Sequence, residues 1–186
     1  PAREEWKSIV ERPHLDVSQL NATVKEVLDK VRNNGDQAVI EYEKAFDHVE
    51  LHDLAVTEAE MEEAEQLTSK ELKDALVLAH ENIALFHHSQ KFTASKVETR
   101  SGVTCWQKSI PIQKVGLYIP GGTAPLFSTV LMLATPAKIA GCSEIVLCTP
   151  PNREGKVNPA ILIAARIAGV NKIFKAGGVQ AIGAMA

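Results

Sequence analysis

Residues 114–149 read KVGLYIPGGTAPLFSTVLMLATPAKIAGCSEIVLCT, and this stretch decides the fold. A short apolar run, Val115 to Ile119, breaks at Pro120-Gly121-Gly122. A nearly uncharged segment follows from Ala124 to Ala140, and a second apolar run spans Ile145 to Cys148. Strand, glycine turn, buried helix and strand is the simplest reading, with Gly141 as the helix stop. A helix this apolar has almost no face to offer to water, so it is expected to be covered on most sides.

Downstream the alternation continues: a helix over 158–168, a strand over 172–176 and a further helix beginning near Gly178. Strands that alternate with helices predict a parallel sheet with right-handed crossovers. Upstream the pattern is helical. Residues 2–11 suit a short helix stopped at Arg12-Pro13. From Ser18, the positions Leu20, Val24, Val27, Leu28 and Val31 recur at helical spacing until Asn33-Asn34-Gly35 ends them. Asp36 is the expected cap of the next helix, whose apolar positions are Val39, Tyr42, Ala45 and Phe46. Residues 49–56 read as an extended connection. Thr57-Glu58-Ala59-Glu60 has the form of a capping box, and Ser69 caps a longer helix carrying Leu72, Ala75, Leu76, Ala79, Ile83 and Phe86. Between Lys96 and Lys108 the pattern turns to alternation around Arg100-Ser101-Gly102, as in a β-hairpin. The expected organisation is an acidic helical region (1–95), a hairpin with its connection (96–113), and a β/α region (114–186). The final residues, Val179 to Ala186, read as an apolar helix cut off in progress, as in a piece of a longer protein.

Composition narrows the class. The chain has 186 residues, 45% hydrophobic and 23% charged, which suits a folded domain and argues against disorder. Its longest apolar run is interrupted by Ser128, Thr129, Thr135 and two prolines, too broken to cross a bilayer. The N-terminus is charged from Arg3 onward without a signal-peptide core, so a cytoplasmic location is expected. Residues 1–113 carry 13 Lys and Arg against 21 Asp and Glu, whereas residues 114–186 carry 7 against 2. The C-terminal part can therefore tolerate an anionic ligand. The seven cations are scattered, so no nucleic-acid stripe is expected. The acidic run Glu58, Glu60, Glu62, Glu63, Glu65 reads as a solvated helix face. Cys105, Cys142 and Cys148 form no CxxC, and they read as reduced thiols packed as small hydrophobes. A reactive Cys148 at a strand end is the alternative.

Candidate chemistry concentrates at strand ends. The turn Pro120-Gly121-Gly122 follows a strand, where parallel sheets place phosphates, but it is neither GxGxxG nor a P-loop. Pattern alone fits a structural tight turn better than a ligand loop. Tyr118 shifts this only a little, since an aromatic ring beside such a turn can stack on a base or ribose. Gly177-Gly178-Val179-Gln180 repeats the arrangement at the third strand, with Gln180 in the first helical turn. Two glycine pairs at the carboxyl ends of neighbouring strands predict a crevice there. His14, His48, His52, His80, His87 and His88 show no HExxH or three-ligand grouping and read as structural. Ser109 and Ser128 lack a GxSxG setting.

Taken together, VGLYIPGGTAPLFSTVLMLATPAKIAGCSEIVLCTPP, AGVNKIFKAGGVQAIGAMA and the upstream RNNGDQAVIEYEKAFD and NIALFHHSQ closely resemble the histidinol dehydrogenase family. The resemblance covers nearly the whole chain, and the GLYIPGG-to-LATPA block is highly specific. It implies an α/β fold with an incomplete Rossmann-like parallel sheet and flanking helices. It implies a zinc enzyme that oxidises L-histidinol through the aldehyde to L-histidine, with two hydride transfers to NAD. It also implies a homodimer, with no nucleic-acid or membrane partner. By motif match, Tyr118 in GLYIPGG and Gln180 in GGVQAI correspond to NAD-contacting positions. The family's zinc ligands and catalytic Glu-His pair lie in later sequence, beyond Ala186, so the resemblance assigns no catalytic or metal residue to this chain. Two alternatives stay open. One is a related enzyme acting on another small alcohol, such as a sulfonated diol; the other is a non-catalytic binding module.

Overall fold

The structure, a computed structural model, describes residues 1–12, 18–122 and 124–186. His14 and the proposed stop at Pro13 lie outside the described residues.

Three parallel strands form the centre: β3 (Lys114–Tyr118), β4 (Glu144–Thr149) and β5 (Lys172–Lys175), in the order β3-β4-β5. The register sets Tyr118 opposite Cys148 and Cys148 opposite Phe174, so the carboxyl ends of all three strands finish at one edge. Because successive side chains alternate, Leu117, Ile119, Leu147 and Ile173 face one side, and Tyr118, Cys148, Phe174 and Ala176 face the other. A parallel sheet needs cover on both faces. On the first face lie α6 (Phe127–Ala140) and α7 (Pro159–Ala168), which pack on each other. Outside them sit α4 (Glu58–Leu67) on α7 and α5 (Lys70–Ser89) on α6. The second face is covered by α8 (Gly178–Met185), with α2 (Ser18–Asn34) and α3 (Asp36–Tyr42) against it. The N-terminal helices therefore complete the core of the β/α region from both sides. A short turn, Arg3–Glu5, and α1 (Trp6–Val10) occupy the expected N-terminal helix.

The local capping rules hold at the starts of α4, α5 and α7. Thr57 accepts the Glu60 N–H while the Glu60 carboxylate accepts the Thr57 N–H at 2.8 Å, the reciprocal capping box. Ser69 accepts the Leu72 N–H, and Asn158 accepts the Ala160 N–H with Pro159 in the first helical position. At α3 the expectation fails. Gly35, at φ +57°, is the cap residue, and Asp36 is already helical. The chain leaves α2 through a left-handed residue, so its next residue enters α3 directly. The extended connection does more than connect: Ala55 bridges Phe174 antiparallel, and Val56 donates to the Ile173 carbonyl at 2.9 Å. It thereby closes the free edge of β5.

Helix α6 departs from full enclosure. Val130, Leu131, Ala134 and Thr135 are buried, but Met132 is 60% exposed. Apolar residues are likewise exposed at the end of α5 (Leu85, Phe86) and in the connection (Ile110, Ile112). The hairpin, β1 (Lys96–Arg100) and β2 (Val103–Trp106), is paired as expected around Gly102, yet exposed on both faces. No described helix is long and apolar enough to cross a membrane. Leu131 lies at the centre of the α5–α6–α7 packing, so Leu131→Ala should cost about 2–5 kcal/mol by urea denaturation. Thr57→Ala should cost about 1 kcal/mol through the lost cap; equal losses would contradict this placement of the core.

Candidate functional site

At the carboxyl edge of the sheet the three strands deliver three turns, and these enclose a crevice of about 780 Å³. Tyr118, Pro120, Gly121 and Gly122 line it after β3, Thr149 to Asn152 after β4, and Gly178 after β5. Pro150 stands between the two glycine turns. A Cβ on Gly121 would fall 2.6 Å from the Pro150 side chain, and one on Gly177 only 2.9 Å from it. Both turns close on the β4 loop only because those residues have no side chain. That loop is itself tied by Asn152, whose Oδ1 accepts the N–H groups of Glu154 and Lys156.

Tyr118 and Gln180 meet in one network but on different sides of it. The Tyr118 ring is half-buried at the crevice wall, and its hydroxyl accepts the Gly178 N–H at 3.0 Å. Gln180 is 1% exposed and lies under the turn, where its Nε2 donates to Glu43 Oε1 at 2.9 Å. The same Glu43 oxygen accepts the Gly177 N–H at 2.8 Å. Among the described residues, Glu43 Oε2 and Gln180 Oε1 find no hydrogen-bond partner. Glu43 was not anticipated, although a signal existed: it stands four residues after Val39, on the buried stripe of α3. The helix widens there into a π-turn, Glu43–Asp47, which carries Glu43 beneath the sheet edge and brings Asp47 to the crevice lining. The turn ends at His48 in the left-handed region (φ 56°).

Burial raises the Glu43 carboxyl above its ordinary value of 4.5; the Gly177 and Gln180 hydrogen bonds oppose this, and Asp47 adds to it. Burial pushes the Cys148 thiol up to about 11, with the Glu43 charge adding. Such a thiol is inert, which removes the reading of Cys148 as a nucleophile. Cys142 is buried too, but Cys105 is exposed on the hairpin and is not a packed hydrophobe. His80 accepts or donates a 3.0 Å hydrogen bond with Thr135, joining α5 to α6.

The cations of the C-terminal part are largely spoken for. Lys156 pairs with Glu63 at 2.6 Å, Arg166 with Glu58 at 2.8 Å, and Lys175 with Glu60 at 3.1 Å. The acidic run of α4 is thus the partner of the basic region rather than a plain solvated face. At Glu60 burial pulls upward, but hydrogen bonds from Thr57 and Lys175 outweigh it and leave the carboxyl below its ordinary value. Asp47, Glu60, Glu63 and Glu154 line the crevice with Lys156, which is itself paired with Glu63, so the lining carries more carboxylates than cations. Among the described residues no group of three or more His, Cys, Asp or Glu is arranged to hold a metal ion.

A raised folded value means that the Glu43 contribution to stability is full below the unfolded value near 4.5 and is lost as pH rises through the higher folded value. Glu43→Gln cannot ionise. Its denaturation midpoint should therefore gain on the wild type as pH rises above about 4.5, and a pH-independent difference would refute the buried ionisation. With a thiol reagent at neutral pH, Cys105 should react quickly, and Cys148 only on unfolding. Fast native labelling of Cys148 would overturn its enclosure.

The comparisons agree with this architecture. The sequence profile described as histidinol dehydrogenase matches residues 10–186. Histidinol dehydrogenase of Bacteroides thetaiotaomicron is 63% identical over 186 residues, covering all of this chain and 44% of that protein. The Salmonella typhimurium enzyme of that name is 47% identical over 184 residues, covering 98% of this chain and 42% of that protein. The crystal structure of histidinol dehydrogenase from Elizabethkingia anophelis superposes with a TM-score of 0.93 at 48% identity, over the whole chain and 43% of that structure. The chain therefore spans less than half the length of these relatives. A glycine-turned parallel sheet, the profile match over almost every residue and the superposition lead to one conclusion: this chain belongs to the histidinol dehydrogenase family.

Proposed function

We propose that the chain forms the N-terminal part of an enzyme that oxidises L-histidinol to L-histidine through the aldehyde, passing two hydrides to NAD. The observation that carries the reading is the crevice at the carboxyl edge of β3, β4 and β5, walled by Tyr118 and by two turns that leave no room for a side chain. Its volume of about 780 Å³ lies within the range of small-molecule sites, roughly 300–1,000 Å³. NAD, when bound, supplies the hydride acceptor. The chain's own contribution is placement. The Tyr118 ring offers a flat face for a base or ribose, with its hydroxyl fixed by Gly178. The backbone of Gly121, Gly122 and Gly178 allows close approach to the ligand. Gln180 contributes from beneath, either by holding the Gly177-Gly178 turn or by turning its unpartnered oxygen toward the cofactor.

Zinc is a different matter. The described residues offer no group of three or more metal ligands, so in this reading its ligands come from sequence after Ala186. The homodimer and a cytoplasmic setting belong to the same proposal. The doubly exposed hairpin, with Leu85, Phe86 and Trp106, supports a partner surface because apolar area of this kind marks contact sites.

The test uses the full-length enzyme that contains this chain. It should form histidine from histidinol with NAD, and Tyr118→Ala should raise the KM for NAD about tenfold or more while zinc content stays constant. Turnover of another small alcohol with no histidine formed would replace the substrate assignment. An unchanged KM would remove Tyr118 from the site.

A further inference from the structure

We propose that Glu43 is a positioning residue of the cofactor crevice, holding from below the β5–α8 turn against which the Tyr118 ring is set. The proposal rests on the reading of the crevice as the NAD site.

Two consecutive amides of the turn are fixed from opposite directions. The Gly177 N–H is taken by Glu43 Oε1 at 2.8 Å, and the Gly178 N–H by the Tyr118 hydroxyl at 3.0 Å. The Glu43 oxygen also takes the Gln180 amide at 2.9 Å, so one carboxyl grips both the first residue of the turn and the first turn of α8. The surroundings leave little alternative. A Cβ on Gly177 would fall 2.9 Å from Pro150 and 3.0 Å from Asp47 Oδ2, and Gly178 is left-handed at φ +55° with the Gln180 oxygen 2.8 Å from where a Cβ would stand. Glu43 and the Tyr118 hydroxyl thus hold the turn from two sides.

The chemistry of the group argues against a purely packing role. Glu43 is fully buried, and no salt bridge joins it to a cation among the described residues. Enclosing a carboxyl without a cation is costly, and an apolar side chain of the same volume would stabilise the interior more. What an apolar side chain lacks is an acceptor for two N–H groups. Without it, the Gly177 and Gln180 donors would be buried and unsatisfied, the turn would shift to find partners, and the Gly178 N–H would move off the phenol. Tyr118 would then keep its ring but lose its fixed orientation, a change that costs ligand affinity through lost preorganisation.

The experiment measures the Kd of NAD by calorimetry on the full-length enzyme, well below its melting temperature. Glu43→Ala should weaken NAD about tenfold or more, with the loss appearing in KM for NAD more than in kcat. Glu43→Gln should stay within about threefold of the wild type, because its amide oxygen accepts the same two N–H groups. A merely structural Glu43 would lower the melting temperature and leave the Kd of the folded protein alone, and that result overturns the proposal. Should Glu43→Ala not fold, Glu43→Asp draws the carboxyl back by one methylene and serves instead. It should weaken NAD, and in a Tyr118→Phe background it should add little further. Wild-type affinity in Glu43→Asp, or losses that simply multiply in the pair, overturns the proposal. A wild-type enzyme that binds no NAD would overturn the cofactor reading and this proposal together, whereas unchanged binding in the Glu43 variants overturns this proposal alone.

Discussion

A three-stranded parallel sheet cannot leave either face in water, and that constraint organises the molecule. Parallel strands are joined by crossovers, so their side chains are apolar on both faces, and each face must find helices. The β/α region supplies α6 and α7 for one face and only α8 for the other. The N-terminal helices make up the difference: α2 and α3 pack with α8, and α4 and α5 form a second layer over α7 and α6. Residues 54–56 complete the arrangement by hydrogen-bonding along the open edge of β5.

Electrostatics follows from the same packing. Once α4 lies on α7, its carboxylates face Lys156, Arg166 and Lys175 across the interface. These pairs are mostly exposed and each contributes little on its own. Lys175–Glu60 is the exception in burial, and it also draws on the Thr57 cap. The opposite charges of the two halves are thus an internal complementarity before they are a property of any ligand site.

The crevice depends on what lies beneath it. Glycines at 121 and 177 allow two turns to close around Pro150, but small residues alone do not hold a turn in one place. The fixed points are hydrogen bonds from groups far away in sequence: Glu43 from the π-turn after α3, and Tyr118 from the end of β3. A buried carboxyl in that position is a stability cost accepted for geometry, a pattern expected near functional sites.

The order and type of the elements were legible in the sequence because they rest on local physics. The alternating apolar runs gave β3, α6, β4, α7 and β5 within a few residues, and Thr57, Ser69 and the Asn34-Gly35 step marked helix ends through side-chain and left-handed caps. The glycine pairs and Tyr118 marked the sheet edge where a crevice forms, and the GLYIPGG block pointed to the family. Three things were decided only by the tertiary structure. The acidic run found its cations, Gln180 turned inward to a buried carboxyl instead of lining the crevice, and Glu43 became the support of a turn 134 residues away. Each depends on which surfaces meet after folding. A residue's spacing reports the face on which it lies, but not the group that waits across the interface.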